Sequence, residues 1–434
     1  MVPKKLLHII ENNLCTRCGT CVGVCPHECL FLDENNFPKE KQPCPIECNL
    51  CLRACPGIEV NFPRLTQNVF KKNFQVTNPM GEFQKIFVGH STDCTIRKNA
   101  SSGGVITQLL VYLLEKREIN GAVVTTTDSE ELWKAKPFLA LNKAEILEAT
   151  QSKYVISPVN QILRQVRKTK GKFAFVGLPC HIHSLRKLLE IDRRLAEKIV
   201  LIVGLYCHMT LETDAPVDML EVSKISSHDV QKLEFRSGKW PGGIAVKMED
   251  GSLKKMHDGN IKDAFNILHR LYYPKRCLYC IDGSNELADI SIADPWLINK
   301  KGKYPFQNGS SLVVVRTDIG KKFLDMAQKD GALFLKEINP DSFLDLNLLM
   351  MKKKRKMAFA RIEKLHKKKK PFPKYSTTTR ITTVDRFSET LSSIEFFFGK
   401  FKFTRKLALR ILLSPLGSLL RKVGSIRKNR KRGY

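Results

Sequence analysis

Long apolar runs are missing from this sequence of 434 residues. The longest candidate, residues 411–420, is ten residues long and contains Pro415, whereas a helix that spans a bilayer needs about 20 apolar residues. The opening segment also lacks the apolar core of a secretory signal, because Glu11 closes a short apolar stretch. The sequence therefore predicts no membrane-spanning helix, no export signal and a cytoplasmic location.

Acidic residues are scarce near the C-terminus. Residues 351–434 contain 26 Lys and Arg but four Asp and Glu, whereas the preceding 350 residues carry 47 basic and 39 acidic residues. Basic clusters beside Phe and Leu suit an acidic redox partner or an anionic membrane surface, which would hold the protein peripherally at the inner membrane face. Nucleic acid is the less favoured partner, and a disordered, solvated extension is the remaining alternative.

Cysteine, by contrast, is plentiful, and eight of the 14 cysteines form two runs within the first 55 residues. The first run has the spacing Cys-x2-Cys-x2-Cys-x3-Cys-Pro, and the second has one extra residue in its first gap. This spacing is typical of loops that wrap a [4Fe–4S] cube, and in two-cluster proteins the last cysteine of each run binds the other cube. We therefore expect one cluster on Cys15, Cys18, Cys21 and Cys55, and another on Cys44, Cys48, Cys51 and Cys25.

Zinc knuckles and disulfides are the alternatives for these two runs. Zinc sites usually consist of two separated Cys-x2-Cys pairs, whereas here three cysteines follow one another closely before the fourth. Disulfides require an oxidising compartment, which the missing export signal does not support. The pattern therefore favours iron–sulfur clusters, which move electrons one at a time.

The patterns along the chain predict several folded units. Residues 1–62 are predicted to form a two-cluster ferredoxin-type domain, 63–84 a polar linker, 85–165 and 166–335 the two parts of a main body, and 336–434 a basic tail. Strands are predicted at 86–88, 122–127, 172–176, 198–203, 245–248, 287–292 and 311–315, and helices at 105–116, 183–195 and 321–329. The fold class predicted is an α+β ferredoxin-like domain, an α/β body and a basic, partly helical C-terminal tail.

Several phrases of the body recur in one known family. They are RKNASSGGVIT from Arg97, SKY from Ser152, FVGLPC from Phe175, VGLYCH from Val203, FRSG from Phe235, CLYC from Cys277 and ELADIS from Glu286. In this order the chain resembles the coenzyme F420 hydrogenase/dehydrogenase beta-subunit family over residues 1 to about 335, but not in the tail. The resemblance implies iron–sulfur clusters and FAD, so that the α/β body would be the flavin-binding body.

The loop before residue 105 is the predicted cofactor site. Serine hydroxyls, glycines and free backbone N–H groups at a helix N-terminus suit a pyrophosphate, although a plain helix cap is the alternative. Lys153 and Tyr154 would add a counter-charge and an aromatic face, or else form a surface pair at a strand edge. The predicted cofactor contacts are Ser101, Ser102, Gly103, Gly104, Lys153, Tyr154, Gly177 and Pro179.

Four further cysteines are predicted to hold a third [4Fe–4S] cube. Cys180 and Cys207 each follow a predicted buried strand, at the edge where α/β sheets usually bind ligands, and Cys277 and Cys280 supply the missing pair. The alternative is two buried core cysteines and a separate redox or zinc pair. His181 stands where relatives often have glutamine, so the surroundings of this cube are expected to differ.

Other residues are weaker candidates. Asp289 and Asp294 are candidates for steering a proton to a reduced flavin, although a turn or cap role is favoured. Arg236 and Arg316 are candidates for holding an anion, or are surface residues. Cys29 and Cys94 match no ligand position and are expected to be ordinary thiols, and no catalytic residue is identified.

Together these predictions describe an oxidoreductase that uses FAD and [4Fe–4S] clusters. It would pass electrons between a ferredoxin-like or other redox protein and a small two-electron acceptor, for which the resemblance suggests coenzyme F420. The alternatives are a non-catalytic electron-transfer subunit of a larger complex and a reductase of another small molecule.

Overall fold

The computed structural model describes residues 4–45, 48–256, 261–301, 305–306 and 309–414. In these residues the helices are α1 (Lys4–Glu11), α2 (Thr20–Val24), α3 (Leu50–Arg53), α4 (Phe62–Phe70), α5 (Cys94–Asn99), α6 (Val105–Glu115), α7 (Lys143–Glu148), α8 (Leu163–Lys168), α9 (Pro179–Leu189), α10 (Arg193–Lys198), α11 (Asp214–Val222), α12 (Ile261–Leu271), α13 (Asp318–Lys329), α14 (Leu346–Lys367), α15 (Thr383–Phe398) and α16 (Lys402–Leu413). The strands are β1 (Leu30–Leu32), β2 (Pro38–Glu40), β3 (Lys85–Ser91), β4 (Gly121–Thr127), β5 (Ala135–Ala140), β6 (Phe173–Gly177), β7 (Ile199–Leu205), β8 (Val230–Ser237), β9 (Gly243–Met248), β10 (Leu253–Lys255), β11 (Ile290–Ala293), β12 (Leu297–Ile298), β13 (Ser311–Val315), β14 (Leu333–Glu337) and β15 (Leu344–Asp345). None of the helices in this part of the chain combines the length and the apolarity needed to cross a membrane.

An eight-stranded sheet in the order β14-β3-β13-β11-β7-β6-β4-β5 forms the centre of the body. Its middle strands β11, β7, β6 and β4 are parallel, as expected for strands joined through helices. The outer strands on both sides pair antiparallel. Six of the seven predicted strand regions contribute to this sheet. The seventh forms β9, which pairs with β8 and β10 in a separate three-stranded sheet.

The two faces of the central sheet are both buried, because alternate side chains of each strand point to opposite faces. In β6, Phe173 and Phe175 join one core together with residues of α8 and α9. Ala174 of the same strand joins a second core, which contains α6 and α13. The body therefore has three layers, with the sheet between two sets of helices.

The N-terminal unit packs a small core of its own beside its cysteines. Leu6, Ile9, Leu14, Val22 and Leu30 form this core, and β1 and β2 form an antiparallel hairpin over it. The unit does not stand apart from the body, because its buried Val24 and Ala54 belong to the same core as α9.

Three segments differ from the sequence-based expectations. The predicted polar linker contains α4, because its apolar residues Phe62 and Leu65 are buried in the body's first core. The helix predicted at 183–195 is two helices, because the Asp192 side chain accepts a hydrogen bond from the Leu195 N–H (3.1 Å) and so caps α10.

The third difference concerns the basic tail, which is largely packed on the body. Helix α14 buries Met351, Ala358 and Phe359, and Tyr375 beyond it is also buried. The basic run at 352–356 therefore lies partly in the interior and partly on the surface, since Lys354 is buried whereas its neighbour Lys353 is exposed. The apolar segment at 411–420 starts in the last turn of helix α16, and its part after residue 414 lies outside the described residues.

Candidate iron–sulfur centres and cofactor loop

The first thiol group consists of Cys15 and Cys18 in the loop before α2, Cys21 on α2, and Cys55 shortly after α3. Burial, followed by the neighbouring Cys55 thiol, raises the pKa of Cys15 to about 12. The pKa of Cys21 is raised well above its ordinary value by burial and then by Cys15, Cys18 and Cys55. Thiols influence each other in this way only at short distances. The fold therefore brings together the four cysteines predicted to share one cluster.

The second thiol group consists of Cys25, Cys44, Cys48 and Cys51. It lies nearer the surface, because Cys44 and Cys48 are exposed. Burial raises the pKa of Cys51 to about 11, with further contributions from Cys48 and Cys25. Cys29, expected to be an ordinary thiol, lies beside this group. Its pKa is raised to about 11 by burial and then by Cys25 and Cys44.

The third thiol group assembles from separate parts of the body. Cys180 lies in the first turn of α9, Cys207 lies two residues after the end of β7, and Cys277 and Cys280 lie in and after a 3₁₀ turn at Lys275–Tyr279. Burial and then Cys207 raise the pKa of Cys180 well above its ordinary value, and Cys277 and Cys280 contribute further. The four positions, up to 100 residues apart in the chain, thus converge at one end of the parallel strands.

The first and third thiol groups are neighbours. Cys18 is among the thiols that raise the pKa of Cys180. Cys18 Sγ lies 3.1 Å from Thr20 Oγ1, which in turn lies 2.6 Å from Ser184 Oγ on α9. A Cβ atom at Gly23 would lie 2.0 Å from the Asn160 carbonyl oxygen of the body. The N-terminal unit is therefore closely packed on the part of the body that carries the third group.

Buried cations lie beside the thiol groups, and the sequence analysis did not identify them. Lys187 donates to the carbonyl oxygens of Cys55 (2.6 Å) and Glu59 (2.7 Å). Lys354 donates to those of Cys207 and Asp282, both at 2.7 Å. Their positive charges would offset the negative charge of iron-bound thiolates. Helical spacing offered a signal for Lys354, because it lies three residues after Met351 and four before Ala358, which are both buried.

The donor chemistry of the groups fits [4Fe–4S] cubes, since each offers the four cysteines that one cube requires. Within the described ranges, no three His, Cys, Asp or Glu side chains are arranged to hold a metal ion. A cube distributes its four thiolates over four irons, which is a wider arrangement than a single ion needs.

The predicted cofactor loop connects α5 to α6. Gly104 has φ of +73°, and no side chain caps the helix that follows it. At Gly103 a Cβ atom would lie 2.5 Å from the Gly89 carbonyl oxygen, so only glycine fits there. Ser102 Oγ donates to the Ser310 carbonyl oxygen (2.5 Å), and Ser101 Oγ accepts from the Ser152 N–H (2.9 Å). The uncapped N–H groups of α6 therefore remain as the donors suited to an anion.

Lys153 and Tyr154 lie near this loop but point to protein groups. Lys153 Nζ donates to the carbonyl oxygens of Ala149 (2.9 Å) and Thr150 (2.8 Å), and burial lowers its pKa to about 7. The Tyr154 hydroxyl accepts from Arg236 Nη1 at 3.0 Å. Arg236 links this tyrosine to the loop, because its Nη2 donates to the Ser101 carbonyl oxygen at 2.8 Å.

The weaker polar candidates are held in internal contacts. Asp294 pairs with Arg236 at 2.8 Å, and Asp289 pairs with Arg186 at 2.9 Å. Arg316 is not a surface residue: it is buried and donates to the Met80 and Glu82 carbonyl oxygens, both at 2.7 Å. These contacts stabilise the fold.

The end of β6 holds the last predicted cofactor residues. The Gly177 carbonyl oxygen accepts from Asn285 Nδ2 at 2.9 Å, and the buried Pro179 begins α9. His181 Nδ1 accepts from the Leu178 N–H at 3.1 Å, and burial lowers its pKa to about 4, so that its ring is neutral at pH 7.

Comparisons with known proteins agree with this architecture. Residues 8–31 match the family model for a 4Fe-4S binding domain. Residues 86–164 and 170–341 match the models for the N-terminal part and the C terminus of the coenzyme F420 hydrogenase/dehydrogenase beta subunit. The fold and the sequence thus define an iron–sulfur protein of the oxidoreductase class.

Individual relatives make the assignment more specific. The chain is 29% identical to a subunit of the F(420)H(2) dehydrogenase of Methanosarcina mazei, covering 81% of this chain and 93% of the relative. It is 30% identical to the beta subunit of the coenzyme F420 hydrogenase of Methanothermobacter thermautotrophicus, covering 60% of this chain and 86% of that one. It also matches a chain from the F420-reducing [NiFe] hydrogenase complex of Methanosarcina barkeri with a TM-score of 0.53 and 27% identity, covering 66% of this chain and 93% of that chain. The chain belongs to the coenzyme F420 hydrogenase/dehydrogenase beta-subunit family.

Proposed function

We propose that this protein is an FAD- and [4Fe–4S]-dependent oxidoreductase that passes electrons between a ferredoxin-like donor and a two-electron acceptor. The observation that supports this best is the close packing of the first thiol group on the part of the body that carries the third, where Thr20 Oγ1 lies 3.1 Å from Cys18 Sγ and 2.6 Å from Ser184 Oγ on α9. Loaded with cubes, the two groups would form adjacent carriers, so that electrons could pass from the N-terminal unit into the body.

The second thiol group is the proposed entry point for electrons. Cys44 and Cys48 are exposed, whereas the thiols of the first group are buried or half-buried. A donor protein could therefore approach the second group closely. The path would continue through the first group and reach the third group behind it.

The loop before α6 is the proposed FAD site. Gly104 and the uncapped first turn of α6 offer backbone N–H groups for the pyrophosphate, whereas the Gly103 N–H donates to Ser311 Oγ at 3.0 Å and holds the loop in place. Ser101 adds a hydroxyl, and Arg236 fixes the loop through the Ser101 carbonyl oxygen. FAD, when bound, holds one or two electrons and so couples single-electron carriers to a two-electron acceptor.

Coenzyme F420 is the acceptor that we propose. The support comes from the names of the relatives, which include two F420 enzymes and an F420-dependent sulfite reductase of Methanocaldococcus jannaschii. The chain spans half of that sulfite reductase. A reductase of another small molecule is the alternative within the same mechanism.

A second candidate function is a non-catalytic electron-transfer subunit. The matched Methanosarcina barkeri chain belongs to a hydrogenase complex, which favours a role in which this chain passes electrons to or from partner subunits. In that case the purified chain would bind its clusters but would not reduce a free acceptor.

Anaerobic reconstitution tests the proposal. We expect about 12 irons for each chain if all three thiol groups hold cubes, bound flavin, and F420 reduction by reduced ferredoxin. Cys180→Ser should remove the third cube's iron and stop flavin reduction, whereas Cys94→Ser, at an exposed thiol outside the groups, should change neither. Full iron without F420 reduction would support the second candidate, and zinc without inorganic sulfide would refute both.

A further inference from the structure

The last two helices of the described chain carry apolar side chains on their outer faces. On α15, Val384, Phe387, Leu391 and Ile394 are 73%, 65%, 50% and 54% exposed. These residues recur at intervals of three and four, so they form one stripe along the helix. We call this stripe, together with the corresponding residues of α16, the outer apolar face.

The opposite side of α15 packs on the body. Glu389 is buried there and pairs with Lys364 and, at 3.4 Å, with Arg361. Phe396 is also buried, and its ring centroid lies 4.7 Å from that of Tyr273. This helix therefore reverses the usual arrangement, because it turns a charged residue inward and an apolar stripe outward.

Helix α16 continues the outer apolar face. Phe403, Leu407 and Ile411, spaced four residues apart, are 76%, 47% and 42% exposed. Leu409 on the other side is fully buried, and Lys406 pairs with Glu221 of α11 at 2.5 Å. Both helices are thus fixed on the body with their apolar residues directed away from it.

The surroundings of this face are basic. Lys400, Lys402 and Arg410 are exposed beside it. The acidic residues of the two helices are engaged in ion pairs, Glu395 with Arg270 at 2.8 Å among them. The sequence after residue 414 adds seven basic residues and no acidic one. The face therefore combines apolar and cationic groups.

We infer that the outer apolar face lies in the surface of an anionic membrane. Protein interfaces are depleted in lysine, whereas helices that lie in a lipid surface combine Phe and Leu with flanking Lys and Arg. The face also lies outside residues 86–341, where the models of the family match. The inference is independent of the proposed electron-transfer function.

Vesicle binding of the full chain tests this inference. We expect sedimentation with phosphatidylcholine vesicles that contain phosphatidylglycerol, and weaker sedimentation with phosphatidylcholine alone. Phe387→Ser and Ile394→Ser should each lower binding about fivefold to tenfold, because each removes apolar area from the contact. The control is Leu253→Ser on β10, since Leu253 and Ile394 are both 54% exposed; its binding should not change. Lys402→Gln should weaken binding to the anionic vesicles about fivefold.

Three results would overturn the inference: no binding to anionic vesicles, equal binding by the Phe387 and control variants, or salt-insensitive binding. Light scattering, which measures the oligomeric state, tests whether a second copy of the chain covers the face instead of a membrane. If Ile394→Ser converts a dimer to a monomer without changing vesicle binding, a second copy covers the face. If the basic residues bind RNA and the apolar variants bind it equally well, the lipid assignment fails. Each variant should contain as much iron as the unsubstituted protein, which would show that the substitutions at exposed positions leave the fold intact.

Discussion

The first and third thiol groups offer the same four side chains but are built in different ways. Three of the four cysteines of the first group lie within seven residues of the chain, from Cys15 to Cys21. The third group takes Cys180 from a helix, Cys207 from a strand end and the last two from a turn. The first depends mainly on local spacing, whereas the third depends on the sheet that aligns its parts. Disturbing the tertiary structure should therefore affect the third group more than the first.

The largest effect is expected at the junction of the two groups. Gly23→Ala would place a Cβ atom 2.0 Å from the Asn160 carbonyl oxygen, so that the N-terminal unit must move away from the body. We expect a loss of about 3 kcal/mol or more in the free energy of unfolding and slower electron transfer into the body. Denaturant unfolding and stopped-flow reduction measure these two effects.

Gly251 provides a comparison in which backbone strain acts without a steric clash. Gly251 has φ of +80° and no atom within 4 Å of its hypothetical Cβ, so Gly251→Ala should cost about 1 kcal/mol through backbone strain alone. If the two substitutions have equal cost, the close packing at Gly23 is not what holds the unit to the body.

The next effect concerns the buried cation beside the third group. Lys354→Met keeps the side-chain length but removes the charge that donates to the Cys207 and Asp282 carbonyl oxygens. We expect a loss of about 2 kcal/mol in unfolding free energy and lower iron occupancy of the third group, while the first group keeps its iron. Iron analysis and electron paramagnetic resonance distinguish the groups. The control is Lys353→Met at the neighbouring exposed position, and equal iron loss in both variants would contradict the role of Lys354.

The smallest effect is a pH dependence at the cofactor loop. Burial lowers the folded-state pKa of Lys153 from 10.5 to about 7. Between these values the unfolded chain binds more protons, so this lysine makes the folded state more stable as pH rises from 7 to 10.5. The contacts of Lys153 Nζ with the carbonyl oxygens of Ala149, Thr150 and Gln151 favour the charged form, so we expect a gain of about 1 kcal/mol, well below what burial alone would give. Lys153→Met should flatten the curve of unfolding free energy against pH, and an unchanged slope would show that the lysine stays protonated.

Some features were readable from the sequence because they depend on neighbouring residues. The spacing of the first cysteine run predicted a 4Fe–4S binding domain, and residues 8–31 confirm it. The recurring phrases of the body likewise predicted the family, which the comparisons confirm. Six strand regions of the central sheet could be predicted because buried β-branched runs have few other stable conformations.

Other features were decided only by the tertiary structure. Nothing local to 63–84 indicates that Leu65 packs in a core that includes Phe173 and Phe359, both more than 100 positions away. Likewise, Lys354 and Lys353 are the same residue type, but the rotation of α14 buries one beside Cys207 and leaves the other in water. Chain order and spacing determine which groups can bind a cluster. The folding of distant segments onto one sheet determines which charges surround it and which apolar face remains exposed, because burial depends on all the elements that meet at a site.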